Sequence, residues 1–103
     1  MPQLVVIAEA EIDPAATHLI REIGERMIVA SRREAGCVSY AYSVDLLDAS
    51  RLRVIEIWAS EAALREHFAT PHMAEFRRDL AASQARIVSL RVFELGKESR
   101  LPA

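Results

Sequence analysis

The chain has one cysteine, three glycines, four prolines and six large aromatic rings in 103 residues, and each scarcity excludes something. A single thiol, Cys37, can form neither an intramolecular disulfide nor a thiolate zinc site, which fits a reducing compartment. With no histidine or basic helix start beside it in sequence, Cys37 is expected to be a buried structural residue. Three scattered glycines cannot build a phosphate-binding loop. The formal net charge is −2, and the arginines come as separate pairs (Arg32 with Arg33, Arg77 with Arg78), so there is no electrostatic footprint for nucleic acid. Those pairs read as solvated helix faces. No apolar run reaches the roughly 18 residues a membrane span requires, and the N-terminus lacks the basic start and apolar core of a signal peptide. A cytoplasmic domain without membrane or nucleic-acid partners is expected.

What is present is a pattern of short elements built mainly from Ala, Val, Ile and Leu. Leu4 to Ile12 begins as an apolar run and passes into alternation, as a strand does when one end is buried on both faces. Asp13 and Pro14 form a cap-then-proline helix start. The stripe Ala16, Leu19, Ile20, Ile23, Met27 and Ala30 then carries a long amphipathic helix to Arg33, with Gly36 as its stop. Cys37 to Val44 alternates, with Val38, Tyr40, Tyr42 and Val44 on one face. A polar turn with Asp48 and Ser50 leads to Leu52–Trp58, making a hairpin. Ser60 caps a helix from Glu61 to about Phe68. Thr70 and Pro71 start another that runs to about Gln84, and Arg86 to Leu95 is a fourth strand.

The order β-α-β-β-α-β predicts an α+β domain over residues 1–96: a four-stranded antiparallel sheet with its helices on one face, followed by a polar tail at 97–103. Ile55, Ile57, Ile87 and Phe93 have the parity opposite to Val54, Trp58, Val88 and Leu90. Both sheet faces are therefore apolar, and the face without helices predicts a homodimer joined sheet to sheet.

Chemically capable residues concentrate between Val54 and Phe76. Glu56 shares a strand face with Val54 and Trp58, so it is a buried carboxylate in need of a partner: either a core ion pair or the orienting group of a base. His67 ends one short helix, where free carbonyls favour the charged ring, and His72 opens the next, where free amides favour the neutral one. They are candidates for acid and base, or two surface histidines at a helix joint. Tyr40 and Tyr42 point the same way along the second strand and bring hydroxyls that seek partners in an apolar setting. Trp58 and Phe76 are core or the walls of a site. The five-residue spacing of His67 and His72, interrupted by Pro71, is not that of a helical zinc pair, so no metal is expected.

The segments EAGCVSYAYSVD (Glu34 to Asp45) and IEIWASEAALREHFATPHMAEF (Ile55 to Phe76) resemble the antibiotic biosynthesis monooxygenase family, particularly its quinol monooxygenase branch. The resemblance rests on Glu56-x-Trp58, on His67 and on Thr70-Pro71-His72 leading to Phe76. It implies a ferredoxin-like dimeric α+β barrel that oxidises a small aromatic quinol or phenol with dioxygen and no cofactor. His67 or His72 would be the base, Glu56 its orienter, Tyr40 or Tyr42 a donor, and Trp58 with Phe76 the walls. The alternative on the same fold is a binder or isomerase of small molecules. A haem-degrading branch would imply an Asn near Ala8 or Ala10, a Trp where His67 stands and a later ligating His where Arg77 stands, and so is disfavoured.

Overall fold

The computed structural model describes residues 1–102. It comprises β1 (Leu4–Glu11), a 3-10 turn (Pro14–Ala16), α1 (Thr17–Arg32), β2 (Cys37–Asp45), β3 (Asp48–Trp58), α2 (Glu61–Phe68), α3 (Pro71–Ala82) and β4 (Arg86–Glu94). The strands form one antiparallel sheet in the order β2-β3-β1-β4, with the helices on one face, which is the expected ferredoxin-like α+β arrangement. The caps are where the sequence places them. The Asp13 side chain accepts from the Ala15 amide at 2.9 Å, and Ser60 Oγ accepts from Ala63 at 3.1 Å. Thr70 Oγ1 accepts from the Met73 amide and donates to the His67 carbonyl at 2.8 Å, pinning the joint between α2 and α3 from both sides.

Three local expectations need correction. The β2–β3 turn lies at Leu46–Leu47, both almost fully exposed, and Asp48 and Ser50 belong to β3. Asp45 makes the reversal by accepting from the Leu47 amide at 2.8 Å, a side-chain turn that two leucines do not announce. Val38 sits in an irregularity between Cys37 and Ser39, out of phase with Tyr40 and Tyr42. A shift of register between Glu9 and Ala10 places Ile87 opposite Ala10 and Leu90 opposite Ala8, so Ile87 joins Leu90 on the helix side.

The core lies between the helices and the central strands. Leu4, Val6 and Ala8 of β1 and Val54 and Trp58 of β3 pack against Met27 of α1 and Leu64 of α2. Each fully buried aliphatic side chain contributes roughly 1.5–3 kcal/mol. Close approach explains two glycines. A Cβ on Gly24 would lie 3.1 Å from the Tyr42 ring, and one on Gly36 would lie 2.3 Å from the Ala63 Cβ, so the turn after α1 sits flush on α2. Cys37 packs against the core but is only half-buried; burial, then the charges of Glu34 and Glu56, push its thiol pKa up.

Two surfaces remain apolar. On the face without helices, Ile7, Ile55 and Phe93 are each more than a third exposed. On the helix side, α3 packs chiefly against α1 and leaves Ile87, Leu90 and Val92 of β4 half exposed. The gap between α3 and β4 opens into the site.

Candidate active site

A cavity of about 400 Å³ lies between the sheet and the α2–α3 pair. Its floor is Ala8, Tyr40, Tyr42, Val54 and Glu56, its roof is Phe68, Met73, Phe76 and Leu80, its β4 flank is Ile87 and Leu90, and Arg77 stands among its lining residues. Strand pairing explains the floor: Tyr40 faces Glu56 and Tyr42 faces Val54 across β2 and β3, so residues of even number converge on one face. A larger groove of about 530 Å³ runs between α1 and β2, but it has no buried titratable group apart from the edge of Tyr42. The smaller cavity combines apolar walls with the buried carboxyl of Glu56 and the hydroxyls of Tyr40 and Tyr42.

Glu56 is the one carboxylate on the floor. Its Oε1 accepts from Trp58 Nε1 at 2.9 Å. Burial pushes its pKa up to about 7, the Glu34 charge adds to the rise, and the Trp58 bond opposes it. The Tyr40 and Tyr42 hydroxyls lie 3.1 Å apart. Burial raises both phenol pKa values, so both remain proton donors at neutral pH.

The histidines stand behind this floor and outside the cavity. His67 is 1% exposed and lies against Trp58, with ring centroids 4.4 Å apart. Its Nε2 is 3.8 Å from Glu56 Oε1, and its Nδ1 is 2.7 Å from Glu34 Oε2. The same Glu34 oxygen is 2.8 Å from Nε2 of His72, whose side chain is 25% exposed. A carboxylate offers only acceptors, so both rings can donate to it. Burial lowers the His67 pKa against the hydrogen bond and charge of Glu34, which overturns the expectation that the α2 carbonyl end would favour its charged form. Position at a helix end counts for less than the loss of water.

Of the residues singled out from sequence, Glu56, Tyr40, Tyr42 and Phe76 meet in the cavity. Trp58 and His67 form the layer beneath it, and His72 adjoins that layer, its ring centroid 6.0 Å from that of His67 and its Nε2 on the same Glu34 oxygen. Two residues escaped sequence reasoning. Arg77 was grouped with Arg78 as a solvated face, yet it lines the cavity. Glu34, in the turn after α1, is 33 and 38 residues from its histidine partners, and no local pattern marks it. His67 Nδ1, His72 Nε2 and a Glu34 oxygen lie within 4.8 Å of one another, and among the described residues this trio is a candidate ligand set for a divalent cation that favours nitrogen, such as zinc. The spacing of the two histidines alone does not reveal it.

Comparison with known proteins gives these features a context. The chain is 31% identical over 94 residues to the uncharacterised protein sll1783 of Synechocystis, covering 88% of the chain and 64% of that protein. It thus spans less than two thirds of that relative's length. It is 32% identical over 89 residues to Rv0793 of Mycobacterium tuberculosis, which is named as a candidate monooxygenase, covering 86% of the chain and 87% of that protein. The solved structure of Rv0793 superposes with a TM-score of 0.82 over 95% of this chain and 99% of that one, at 27% identity. A Deinococcus radiodurans structure titled as a candidate antibiotic biosynthesis monooxygenase has the same fold, with a TM-score of 0.90 over 97% of this chain and 99% of that one, at 19% identity. The family model described as antibiotic biosynthesis monooxygenase matches residues 3–79. That span takes in every element from β1 into α3, together with Tyr40, Tyr42, Glu56, Phe76 and the Glu34–His67–His72 trio, and the chain belongs to the antibiotic biosynthesis monooxygenase family.

Proposed function

We propose that the chain is a monooxygenase that oxidises a small aromatic quinol or phenol with dioxygen and without a prosthetic group. The observation that carries this reading is Glu56, a carboxyl group with a pKa near 7 on the floor of a cavity walled by aromatic and aliphatic side chains. A base poised there can take the phenolic proton near neutral pH. The resulting phenolate is electron-rich enough to reduce dioxygen itself. For a quinol, one oxygen atom enters the ring and the other leaves as water, with all four electrons supplied by the substrate as it becomes a hydroxyquinone. Tyr40 or Tyr42 donates a hydrogen bond to the substrate oxygen while accepting from the other hydroxyl, Phe76 and Phe68 enclose the ring, and Arg77 supplies positive charge for the developing anion. In this reading Glu56 takes the part of base that the sequence alone suggests for His67 or His72, because Glu56 lines the cavity and neither histidine does.

A base beside two neutral donors also suits proton abstraction next to a carbonyl, so isomerisation of a small ligand is the second reading. An oxygen electrode separates the two. With a panel of hydroquinones and naphthoquinols, oxygen uptake stoichiometric with substrate loss is expected; binding or isomerisation without uptake would refute oxidation.

The homodimer belongs to the same proposal. The outer face combines exposed Ile7, Ile55 and Phe93 with an ion-pair network in which Arg53 bridges Glu9 at 2.9 Å and Asp45 at 2.6 Å. An apolar area of this kind on a small domain favours a second copy. Light scattering at micromolar concentration should give twice the chain mass, and Ile55→Lys, which puts a charge at the centre of the face, should give the monomer.

A further inference from the structure

We propose that Glu34, His67 and His72 bind a divalent cation, preferentially zinc, which staples the turn after α1 to the joint between α2 and α3. The site is independent of the reaction assigned to the cavity. Glu34 Oε2 lies 2.7 Å from His67 Nδ1 and 2.8 Å from His72 Nε2, and the three ligand atoms fall within 4.8 Å of one another. Two imidazole nitrogens and one carboxylate oxygen are a donor set that zinc takes when its fourth position is left to water. Each ligand comes from a separate piece of the chain: the turn after α1, the end of α2 and the first turn of α3. One ring would be enough to pair the Glu34 carboxylate. A second ring aimed at the same oxygen makes a three-sided site.

The surroundings suit an ion. His67 is held in place, its ring against Trp58 with centroids 4.4 Å apart and its carbonyl accepting from Thr70 Oγ1 at 2.8 Å. Its other ring nitrogen, Nε2, is 3.8 Å from Glu56 Oε1, so a small rotation or one water gives it the outer carboxylate partner that zinc-bound histidines commonly have. With the ring proton on that nitrogen, Nδ1 presents its lone pair to the ion. Exposure rises from 1% at the His67 side chain through 15% at Glu34 to 25% at His72, so the outer side is open to entry and to a solvent ligand. Ligand atoms on a tetrahedral zinc stand about 3.3 Å apart, given bonds of about 2.0–2.1 Å. Entry of the ion therefore moves the Glu34 oxygen about half an ångström further from each nitrogen, within the reach of side-chain rotation. Zinc has no redox chemistry of its own, so here it is a structural clamp behind the cavity, and oxidation stays with the substrate and dioxygen.

The test is calorimetric titration of the metal-stripped full chain with zinc chloride, paired with thermal melts in zinc or in EDTA. One zinc per chain at micromolar affinity or tighter is expected, with a melting temperature that climbs as zinc is added. His72→Ala and Glu34→Gln each remove one ligand at a partly exposed position, and circular dichroism checks that both remain folded. Each should weaken binding at least about a hundredfold, since losing even an outer partner of a metal ligand costs about 10–100-fold. His18→Ala and Cys37→Ser, which change the third histidine and the lone thiol, should bind as the wild type does. Binding only at millimolar zinc, undiminished binding in either ligand variant, or binding lost in His18→Ala or Cys37→Ser would each overturn the site. Oxygen uptake is not among these readouts, so failure of the zinc site and failure of the monooxygenase reading are told apart.

Discussion

Glu56→Gln is expected to abolish turnover and, at pH 8, to raise the melting temperature. Losing a general base costs roughly 10²–10⁴ in rate. The gain in stability follows from linkage. The Glu56 pKa rises from 4.5 to about 7 on folding, so the folded chain holds that proton more tightly than the unfolded chain does. Its contribution is complete below the unfolded pKa and is lost as pH rises through the folded one, a change on the order of 3 kcal/mol between about pH 4 and pH 8. Glutamine keeps an oxygen to accept from Trp58 Nε1 and carries no charge to bury. The two proteins should therefore melt together at about pH 4, and the variant should melt higher at pH 8. A melting difference that does not grow with pH, or a variant that consumes oxygen within tenfold of the wild-type rate, would contradict the burial and the role given to this carboxyl group.

Trp58→Ala should destabilise the fold by about 3–5 kcal/mol, a large share of what holds a domain of this size together. Trp58 is fully buried, lies against His67 and belongs to the main core cluster, so truncation leaves a cavity next to a carboxyl group that has lost its donor. Urea denaturation measures that loss. Trp58→Phe isolates the second part, since it retains most of the ring and removes only the N–H. The hydrogen bond from Trp58 lowers the Glu56 pKa, so without it the value rises above about 7. A bond to a charged group is worth about 1.5–3 kcal/mol, and the rising limb of the kcat/KM profile should move up by about one pH unit or more. An unmoved limb would mean that Glu56 is not the group that titrates in the reaction.

The sequence made the scaffold legible because its signals are local. Asp13-Pro14, Ser60 and Thr70-Pro71 declare helix starts within two or three residues, and the parity of Leu52, Val54, Glu56 and Trp58 declares a buried face. Features that depend on alignment between distant strands could not be read this way. The register shift at Glu9–Ala10 moves Ile87 to the cavity flank, and nothing in RIVSLRVFEL marks it. The cavity floor was legible for the same reason as the strands. The layer behind it was not, because His67 and His72 acquire their meaning from Glu34, which only the packing of the α1–β2 turn against α2 brings to them.

That packing depends on Gly36. A methyl group there would overlap Ala63, so any larger residue must lift the turn away from α2, and Glu34 travels with the turn. Both histidines would lose the same oxygen in one movement. A position with no functional group of its own therefore sets the reach of the one carboxylate that joins the two rings, and variation at residue 36 would register as a chemical defect although its origin is steric.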